Sequence, residues 1–318
     1  MKQKEILLFG ASGQIGRNLI RKLSKNNYKI KAVTRNIHTS GYIIKTQANP
    51  GYLELVELNN FNPQKIEELM KNVSICINLI GILHEKKKNQ FENIHSELPD
   101  MLSKIANKCK LDQFIHLSSL GIEKVNDSHY ARSKLNGEKK IIKNFKNSVI
   151  IKPSIVYSVD DKFTTNFMTL LSRLPIMPLY YNGNTKFSPI HVSELVEIII
   201  NIIENKKQNL ILECLGPETI SFKDIIKKLL KAINKKRLLF PLPDTLAKIS
   251  AKILQILPNP ILTEDQLKLL KHDNVKTGLY KTNFDINMKT KKKFDDEILK
   301  YSYNWKNGGQ FSKSGENL

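Results

Sequence analysis

The chain contains 318 residues with a formal net charge of +21, a length that suits a large α/β domain with an appended lobe. Its three cysteines, Cys76, Cys109 and Cys214, are isolated, which argues against a disulfide framework or a zinc site. Its longest apolar stretch, Ile198–Ile203, is too short to span a membrane. The excess charge is mostly lysine scattered among abundant asparagine and isoleucine, and no aromatic residues alternate with the lysine runs, so nucleic acid is not an expected partner.

Apolar runs and helical patterns alternate through the first half of the chain. The apolar runs are typical of buried parallel strands and lie near residues 4–9, 29–34, 52–58, 75–80, 113–118 and 148–152. Helical patterns lie near residues 14–25, 64–71, 91–109 and 130–145. This alternation predicts an α/β fold with a doubly wound parallel (Rossmann) sheet, whose ligands sit at the carboxyl ends of the strands.

The turn between the first strand and the first helix is rich in glycine. Gly10, Gly13 and Gly16 follow the apolar run in a G-x-x-G-x-x-G spacing. In a dinucleotide-binding turn, one glycine allows the tight bend, one lets the backbone approach a pyrophosphate, and one permits close helix packing. The turn therefore predicts a dinucleotide site, with a purely structural turn as the alternative.

The end of the second predicted strand bears on which dinucleotide is bound. An acidic residue at this point is typical of NAD sites, because it accepts hydrogen bonds from the ribose hydroxyls. Here Lys29–Thr34 is followed by Arg35, whose guanidinium is suited to a 2′-phosphate, and Arg17 is placed to assist. This pattern favours NADP(H) over NAD(H); the alternative is a surface arginine at a strand end.

A tyrosine and a lysine share one face of the helix predicted after the fifth strand. Tyr130 and Lys134 are four residues apart, and Ser118 and Ser119 end the preceding strand at the expected ligand edge. A nearby ammonium lowers the pKa of a phenol, so the tyrosine is suited to general acid or base chemistry while a serine binds a substrate oxygen. We expect Ser119, Tyr130 and Lys134 to be the catalytic positions if the protein is an enzyme.

Beyond residue 153 the pattern loosens into proline-punctuated segments and helices of uneven length. We expect a Rossmann domain over residues 1–155, completed by strands within 185–215, and a smaller, mainly helical lobe over 156–318. Within the lobe, Leu246, Ile249 and Ile253, with Ile256 or Leu257, recur at helical spacing. Two interpretations of this amphipathic helix remain open: packing on its own domain, or peripheral docking on anionic lipid or a membrane complex.

Several polar residues have a structural interpretation. The spacing of the histidines matches no metal-ligand pattern, so we expect structural histidines and no metal site; they are His84, His95, His116 and His191. Asp160 and Asp161 follow the sixth strand, where loop carboxylates are usually solvated or cap the next helix.

Taken together, four features resemble the short-chain dehydrogenase/reductase superfamily in its extended or atypical branch. They are the glycine turn, the Ser118-Ser119 strand end, Tyr130-x-x-x-Lys134 followed by Gly137-Glu138, and the run Lys152-Pro-Ser-Ile-Val156. Further segments are similar to the NADPH-binding accessory-subunit family of respiratory complex I, which has bacterial relatives and relatives linked to ubiquinone biosynthesis. These segments are Asn78–His84, Phe91–His95, Phe163–Phe167 and Thr263–Asn274.

The resemblance implies the residues that contact the cofactor. Gly10, Gly13, Ile15 and Gly16 match the family turn, and Ser12 and Gln14 contribute backbone. Arg35 falls at the phosphate-binding arginine and Asn59 near the adenine, where aspartate is commoner. The other implied cofactor contacts are Leu79, Gly81, Ser118, Tyr130, Lys134, Pro153, Ile155 and Val156. Tyr130 follows Ser119 by only eleven positions, so we expect a shortened substrate-side loop that leaves the direction of the tyrosine open.

Two functions follow as hypotheses. In the first, the chain is a cofactor-binding accessory or assembly factor of the respiratory or quinone machinery, with complex I or quinone-biosynthesis proteins as partners. In the second, it is an active NAD(P)-dependent oxidoreductase or epimerase. Because the first strand begins almost at once, we expect no targeting peptide and a cytoplasmic protein, with peripheral attachment to the inner face of the cell membrane as a further hypothesis.

Overall fold

The computed structural model describes residues 5–255, 260 and 262–309, with the side chains of residues 244 and 253 left out. The strands are β1 (Glu5–Phe9), β2 (Lys29–Thr34), β3 (Leu53–Glu57), β4 (Ile75–Asn78), β5 (Gln113–Leu117), β6 (Ser148–Pro153), β7 (Val156–Tyr157), β8 (Ile176–Tyr180), β9 (Lys186–Phe187), β10 (Ile190–His191), β11 (Leu210–Cys214), β12 (Ile220–Ser221), β13 (Leu238–Leu242) and β14 (Lys281–Thr282).

The α-helices follow the same chain order. They are α1 (Gln14–Lys25), α2 (Ile37–Lys45), α3 (Pro63–Met70), α4 (Gln90–Glu92), α5 (Leu98–Lys108), α6 (His129–Asn144), α7 (Lys162–Arg173), α8 (Val192–Glu204), α9 (Phe222–Ala232), α10 (Asp244–Leu254), α11 (Glu264–Leu269) and α12 (Phe294–Leu299). A π-helical turn, Asn93–Glu97, joins α4 to α5.

The described residues divide into two compact units. Unit 1 comprises those within Met1–Pro153, Val192–Cys214 and Thr277–Met288, and unit 2 comprises those within Ser154–His191, Leu215–Lys276 and Lys289–Leu318. Unit 1 contains a parallel sheet of eight described strands in the order β14-β11-β6-β5-β4-β1-β2-β3.

The sheet of unit 1 has the doubly wound Rossmann fold predicted from the sequence. Its order reverses between β1 and β4, and ligands of such sheets bind at the carboxyl ends beside this point. Leu7, Phe9, Cys76 and Phe114 form part of a buried core on one side of the sheet. The six apolar runs predicted as strands coincide with β1 to β6. The interior strands are largely buried and need apolar residues on both faces, whereas β3 is at the edge of the sheet and its residues are half-buried or exposed.

Helix α2 is absent from the sequence prediction. Its sequence, Ile-His-Thr-Ser-Gly-Tyr-Ile-Ile-Lys, contains few strong helix formers. Two local features compensate: the Asn36 side chain accepts a hydrogen bond from the Thr39 N–H, and Ile44 is fully buried. The Asn36 cap and the burial of Ile44 therefore stabilise this helix despite its low helix propensity.

Two segments beyond residue 155 lie in unit 1. The apolar Leu210–Cys214 run pairs with β6 as β11, after the crossover helix α8 that contains the stretch Ile198–Ile203. The segment near 187–192, which also has strand character, lies outside the eight-stranded sheet: β9 pairs with β12 and β10 with β7. The strand pairing of this segment therefore depends on hydrogen-bond partners that are distant in the sequence, which local strand character does not identify.

Unit 2 combines helices with three two-stranded pairings, namely β7–β10, β9–β12 and β8–β13. A core that includes Tyr157, Met168, Phe222 and Leu229 holds its helices together. Among the described residues of both units, no helix has the length and apolar character that crossing a membrane requires.

Candidate dinucleotide and Ser-Tyr-Lys site

The glycine turn between β1 and α1 is tightly closed. Gly10 has φ of +83°, and a Cβ there would lie 3.0 Å from the Leu79 carbonyl carbon. A Cβ on Gly16 would lie 2.3 Å from the Gly10 carbonyl oxygen, so no other residue fits this position without displacing backbone. Gly13 begins α1 without a side-chain cap, and no acidic residue lies in the first turn. The helix N-terminus therefore suits a phosphate group.

Polar residues lie at the ends of β2 and β3. Arg35 follows β2, is exposed and forms no ion pair with any described residue. Glu57 ends β3 opposite Thr34, and its Oε2 accepts a hydrogen bond of 3.0 Å from the Ile37 N–H at the start of α2. Asn59 is exposed two residues later. Glu57 is absent from the residues predicted from the sequence, because this carboxylate is at the end of the neighbouring strand β3.

The segment after β4 lies against the glycine turn. The Leu79 N–H donates to the Phe9 carbonyl oxygen at 3.1 Å, and the Ile80 N–H donates to the Asn78 side chain at 3.1 Å. A Cβ on Gly81 would lie 3.5 Å from Lys134 Nζ. Leu79 therefore lies beside the glycine turn, and Gly81 lies beside helix α6, which contains Tyr130 and Lys134.

Ser119, Tyr130 and Lys134 come together at the carboxyl end of β5. The Ser119 and Tyr130 hydroxyl oxygens are 2.7 Å apart, so the spacing of eleven residues does bring the two groups into hydrogen-bond contact. Lys134 Nζ donates to the Leu117 carbonyl oxygen at 3.0 Å and lies 5.9 Å from the centre of the Tyr130 ring. Burial lowers the pKa of Lys134 to about 8, although Glu138 opposes the shift.

His95 connects the segment after β4 to helix α6. The Ile82 N–H donates to Nε2 of His95 at 3.1 Å, so this nitrogen carries no proton. Nδ1 then donates to Ser133 Oγ at 3.1 Å, and Ser133 Oγ donates to the Tyr130 carbonyl oxygen at 2.9 Å. Burial, followed by the charge of Lys134, lowers the pKa of His95 to about 2. The neutral His95 imidazole therefore links the backbone next to Gly81, through the Ile82 N–H, to the turn of α6 that contains Tyr130 and Ser133.

A buried group of charges lies below the serines. Lys152 Nζ, whose side chain is completely buried, lies 2.6 Å and 2.8 Å from the two Glu138 carboxylate oxygens and 2.6 Å from Oε1 of Glu123. Ser118 Oγ donates to Glu138, and the Tyr280 ring covers Lys152 at 5.4 Å. Burial raises the pKa of Glu138 against the opposing effect of Lys152.

The pairing of Glu138 with Lys152 is absent from the sequence-based predictions. Two features of the amino-acid sequence indicate this pairing. Lys152 interrupts the apolar run of β6, and Glu138 continues the i, i+4, i+8 series of Tyr130 and Lys134 on α6. A lysine in a fully buried strand requires a carboxylate partner.

The last predicted cofactor residues fall in different places. Pro153 ends β6 in unit 1, where its carbonyl oxygen accepts a hydrogen bond of 3.0 Å from the Leu120 N–H. Ile155 and Val156 belong to unit 2, where Val156 pairs with Ile190. Ser118 is buried by its contact with Glu138, so its hydroxyl is already engaged.

Other polar residues have structural surroundings. His116 Nδ1 lies 3.2 Å from Asn78 Nδ2, and burial lowers the His116 pKa well below its usual value. In unit 2, His191 packs edge-on against Tyr157. Asp161 caps α7 by accepting a 2.6 Å hydrogen bond from the Thr164 N–H, as a helix cap should. The three cysteines are free thiols, and the described residues contain no cluster suited to a metal ion.

Comparison with known proteins extends these observations. Two mitochondrial relatives are each 24% identical to this chain. The NADH-ubiquinone oxidoreductase 40 kDa subunit of Neurospora crassa aligns over 273 residues, which is 84% of this chain and 71% of that protein. The NADH dehydrogenase (ubiquinone) 1 alpha subcomplex subunit 9 of Dictyostelium discoideum aligns over 287 residues, which is 89% of this chain and 80% of that protein.

A solved structure and a family profile agree with the fold. DesIV, a dTDP-glucose 4,6-dehydratase from Streptomyces venezuelae solved with NAD and TYD bound, has a TM-score of 0.72 at 13% identity, covering 95% of this chain and 96% of that one. At this identity the likeness shows a shared fold. The profile of the NAD dependent epimerase/dehydratase family matches residues 6–213. The chain therefore belongs to the NAD dependent epimerase/dehydratase family, and its unit 1 is a Rossmann fold of the kind that binds nicotinamide dinucleotides.

Proposed function

We propose that the protein is a dinucleotide-binding accessory or assembly factor of the respiratory NADH–quinone machinery, in which the cofactor stabilises the fold. The closed glycine turn carries the proposal, because Gly16 admits no side chain and α1 presents an uncapped N-terminus toward a phosphate. The two relatives named as subunits of the mitochondrial complex, which align with more than four-fifths of the chain, support the accessory role.

The proposed cofactor is NADP(H). Arg35 offers a 2′-phosphate a guanidinium that pairs with no described carboxylate, and β2 ends without an acidic residue. We propose that the backbone of the turn, including Ser12, Gln14 and Ile15, holds the pyrophosphate. The remaining proposed contacts within unit 1 are Asn59 near the adenine, Leu79, Gly81, Ser118, Tyr130 and Lys134 along the cofactor, and Pro153 beside the nicotinamide.

The first experiment identifies the nucleotide. Protein purified without added cofactor is dialysed, denatured and analysed by mass spectrometry, and NADP(H) is the nucleotide expected to be released.

A second experiment tests the role of Arg35. Arg35→Ala is expected to weaken NADPH binding by about tenfold or more and NADH binding hardly at all, since one charge-assisted hydrogen bond is worth about 1.5–3 kcal/mol. Arg173→Ala, an exposed arginine of unit 2, is the matched control. Equal dissociation constants for the two nucleotides would remove the NADP(H) preference.

A second function is favoured by one observation, the 2.7 Å contact between Ser119 and Tyr130. In an active reductase or epimerase, bound nicotinamide supplies the hydride chemistry. Tyr130 Oη then gives or takes the proton of a substrate oxygen held by Ser119, and Lys134 supplies positive charge beneath the ring. The substrate class would be a quinone precursor or another alcohol or carbonyl compound.

Turnover separates the two functions. The accessory role predicts that the holoprotein retains NADPH without oxidising it across a panel of carbonyl compounds and quinones. Oxidation that disappears in Tyr130→Phe, with nucleotide binding intact, would reject the accessory role in favour of the enzyme. Partners are tested by native purification from the source cells, where respiratory or quinone-biosynthesis proteins and a membrane fraction are expected to accompany the chain.

A further inference from the structure

The strand pair β8–β13 of unit 2 exposes apolar side chains on one face. Ile176 lies directly opposite Leu238 in the parallel register, and Phe240 follows Leu238 on the same face because side chains alternate along a strand. Leu238 is 63% exposed, whereas Met177 and Leu179, on the other face of the pair, are buried. The pair therefore covers a core with one face and presents leucine, isoleucine and phenylalanine to solvent with the other.

Helix α10 follows β13 after a single residue, Pro243. Like the strand pair, it exposes large apolar side chains to solvent. Ala247 and Ala251 are completely buried, and Ser250 Oγ lies 3.3 Å from the Tyr180 hydroxyl. Leu246 and Ile249 point away from this contact, and Ile249 is 55% exposed. Among the described side chains of the helix, Ala247 and Ala251 are therefore buried, Leu254 is partly buried against the same core, and Leu246 and Ile249 are exposed. Of the residues in the predicted amphipathic pattern, the side chain of Ile253 and the residues Ile256 and Leu257 lie outside the part of the chain that the structure describes.

The charge around these side chains is strongly positive. The segments 173–181 and 235–255 together contain six lysines and arginines and one acidic residue, Asp244. Arg173, Lys236, Lys248 and Lys252 are exposed, and Lys252 lies 3.8 Å from Glu264. We call the exposed apolar side chains together with these four cations the apolar–basic surface. Its apolar members are Leu174, Ile176, Leu238, Phe240, Leu246 and Ile249.

We propose that the apolar–basic surface binds the face of an anionic lipid bilayer. Apolar side chains beside lysines match a membrane interface, where the hydrocarbon boundary accepts the former and lipid phosphates attract the latter. A second copy of the chain is a poorer match, because its equivalent surface carries the same positive charge. At 1.5 Å per residue, the eleven residues of α10 extend about 16 Å. The helix is therefore suited to lie on a bilayer rather than cross its roughly 30 Å core.

The inference rests on the proposed accessory role and names the surface by which the protein meets the membrane. The test is flotation of the full chain with vesicles of phosphatidylcholine alone and of phosphatidylcholine mixed with phosphatidylglycerol. Binding is expected only with the anionic lipid and is expected to weaken with salt. Leu246→Gln/Ile249→Gln is expected to reduce partitioning about tenfold or more, since each apolar side chain loses its place in the interface. Lys248→Glu/Lys252→Glu is expected to abolish the preference for anionic lipid.

The matched control changes apolar residues elsewhere. Tyr42 and Ile43 are exposed on α2 of unit 1, and Tyr42→Gln/Ile43→Gln is expected to leave vesicle binding unchanged. Equal binding by all variants, or no anionic preference, would overturn the proposal. So would a dimer in lipid-free sedimentation that Leu246→Gln/Ile249→Gln dissociates, because a second copy would then cover the surface. NADPH binding measured without lipid tests the proposed function separately and is expected to be the same in every variant.

Discussion

The two units depart in opposite ways from the rule that charges lie outside and apolar groups inside. Unit 1 buries Lys152, Glu138 and Lys134 beneath its candidate site. Unit 2 exposes Leu238, Phe240 and other large apolar residues on one surface. In unit 1 each of these buried charges has partners at hydrogen-bond distance, whereas about half of each exposed apolar side chain in unit 2 remains in contact with solvent. We therefore expect the folding free energy to depend on the buried charges of unit 1, and association to depend on the exposed apolar residues of unit 2.

The largest effect is expected from breaking the buried charges of unit 1. Lys152→Met leaves the carboxylates of Glu138 and Glu123 without their cation, and such a change costs about 3–5 kcal/mol of unfolding free energy. Urea denaturation measures it. Lys152→Met combined with Glu138→Leu is expected to recover part of the loss, because both members of the closest pair are then apolar. A loss below about 1 kcal/mol in the single variant would show that the pair contributes little.

A pH-dependent effect is expected from Lys134. Burial lowers its pKa in the folded chain to about 8 from 10.5, so between these values the unfolded chain binds one proton more than the folded one. Unfolding free energy therefore rises with pH from about 8 to about 10.5, by up to about 3 kcal/mol, and this gain is lost progressively as the pH falls from 10.5 to about 8.

Lys134→Met isolates this contribution. Because the variant has no group to titrate, the difference in unfolding free energy between it and the unmodified protein should change across the window. Urea denaturation at several pH values measures that difference. A constant difference would mean that the lysine is more hydrated than its surroundings indicate.

A smaller effect is expected at the glycine turn, where two glycines form a matched pair. Gly16→Ala places a Cβ 2.3 Å from the Gly10 carbonyl oxygen, and overpacking of this kind costs about 1–3 kcal/mol. The nearest atom to a Cβ on Gly13 is 3.4 Å away, and the φ of −72° at Gly13 suits alanine. Thermal unfolding is therefore expected to shift for Gly16→Ala and hardly at all for Gly13→Ala. Equal shifts would indicate that the turn is looser than described.

The smallest effect is expected on the apolar–basic surface. Leu246→Gln/Ile249→Gln removes apolar groups that the fold does not cover, so the unfolding free energy should change by less than about 0.5 kcal/mol. Urea denaturation beside Lys152→Met tests the contrast between the units directly. A loss of several kcal/mol would show that these side chains stabilise unit 2 rather than serve association.

Much of the fold could be predicted from local sequence, and less of the site. The strands β1 to β6 follow from continuous apolar runs, and α1 and α6 from helical spacing. Helix α2 was missed because its residues have low helix propensity and the buried Ile44 holds it. The contact between Ser119 and Tyr130 depends on the path of the ten intervening residues, which spacing alone does not define.

The Rossmann architecture and the glycine turn are predictable from the amino-acid sequence alone, because both follow from the order of nearby residues and their periodicity. Tertiary structure decided which face of α10 is buried, since Ala247 and Ala251 rather than Leu246 and Ile249 meet the core beside Tyr180. It also brought Glu123, Glu138 and Lys152 together from a 3-10 turn, an α-helix and a strand. Such contacts depend on distances between residues remote in the chain, which only packing of the elements establishes.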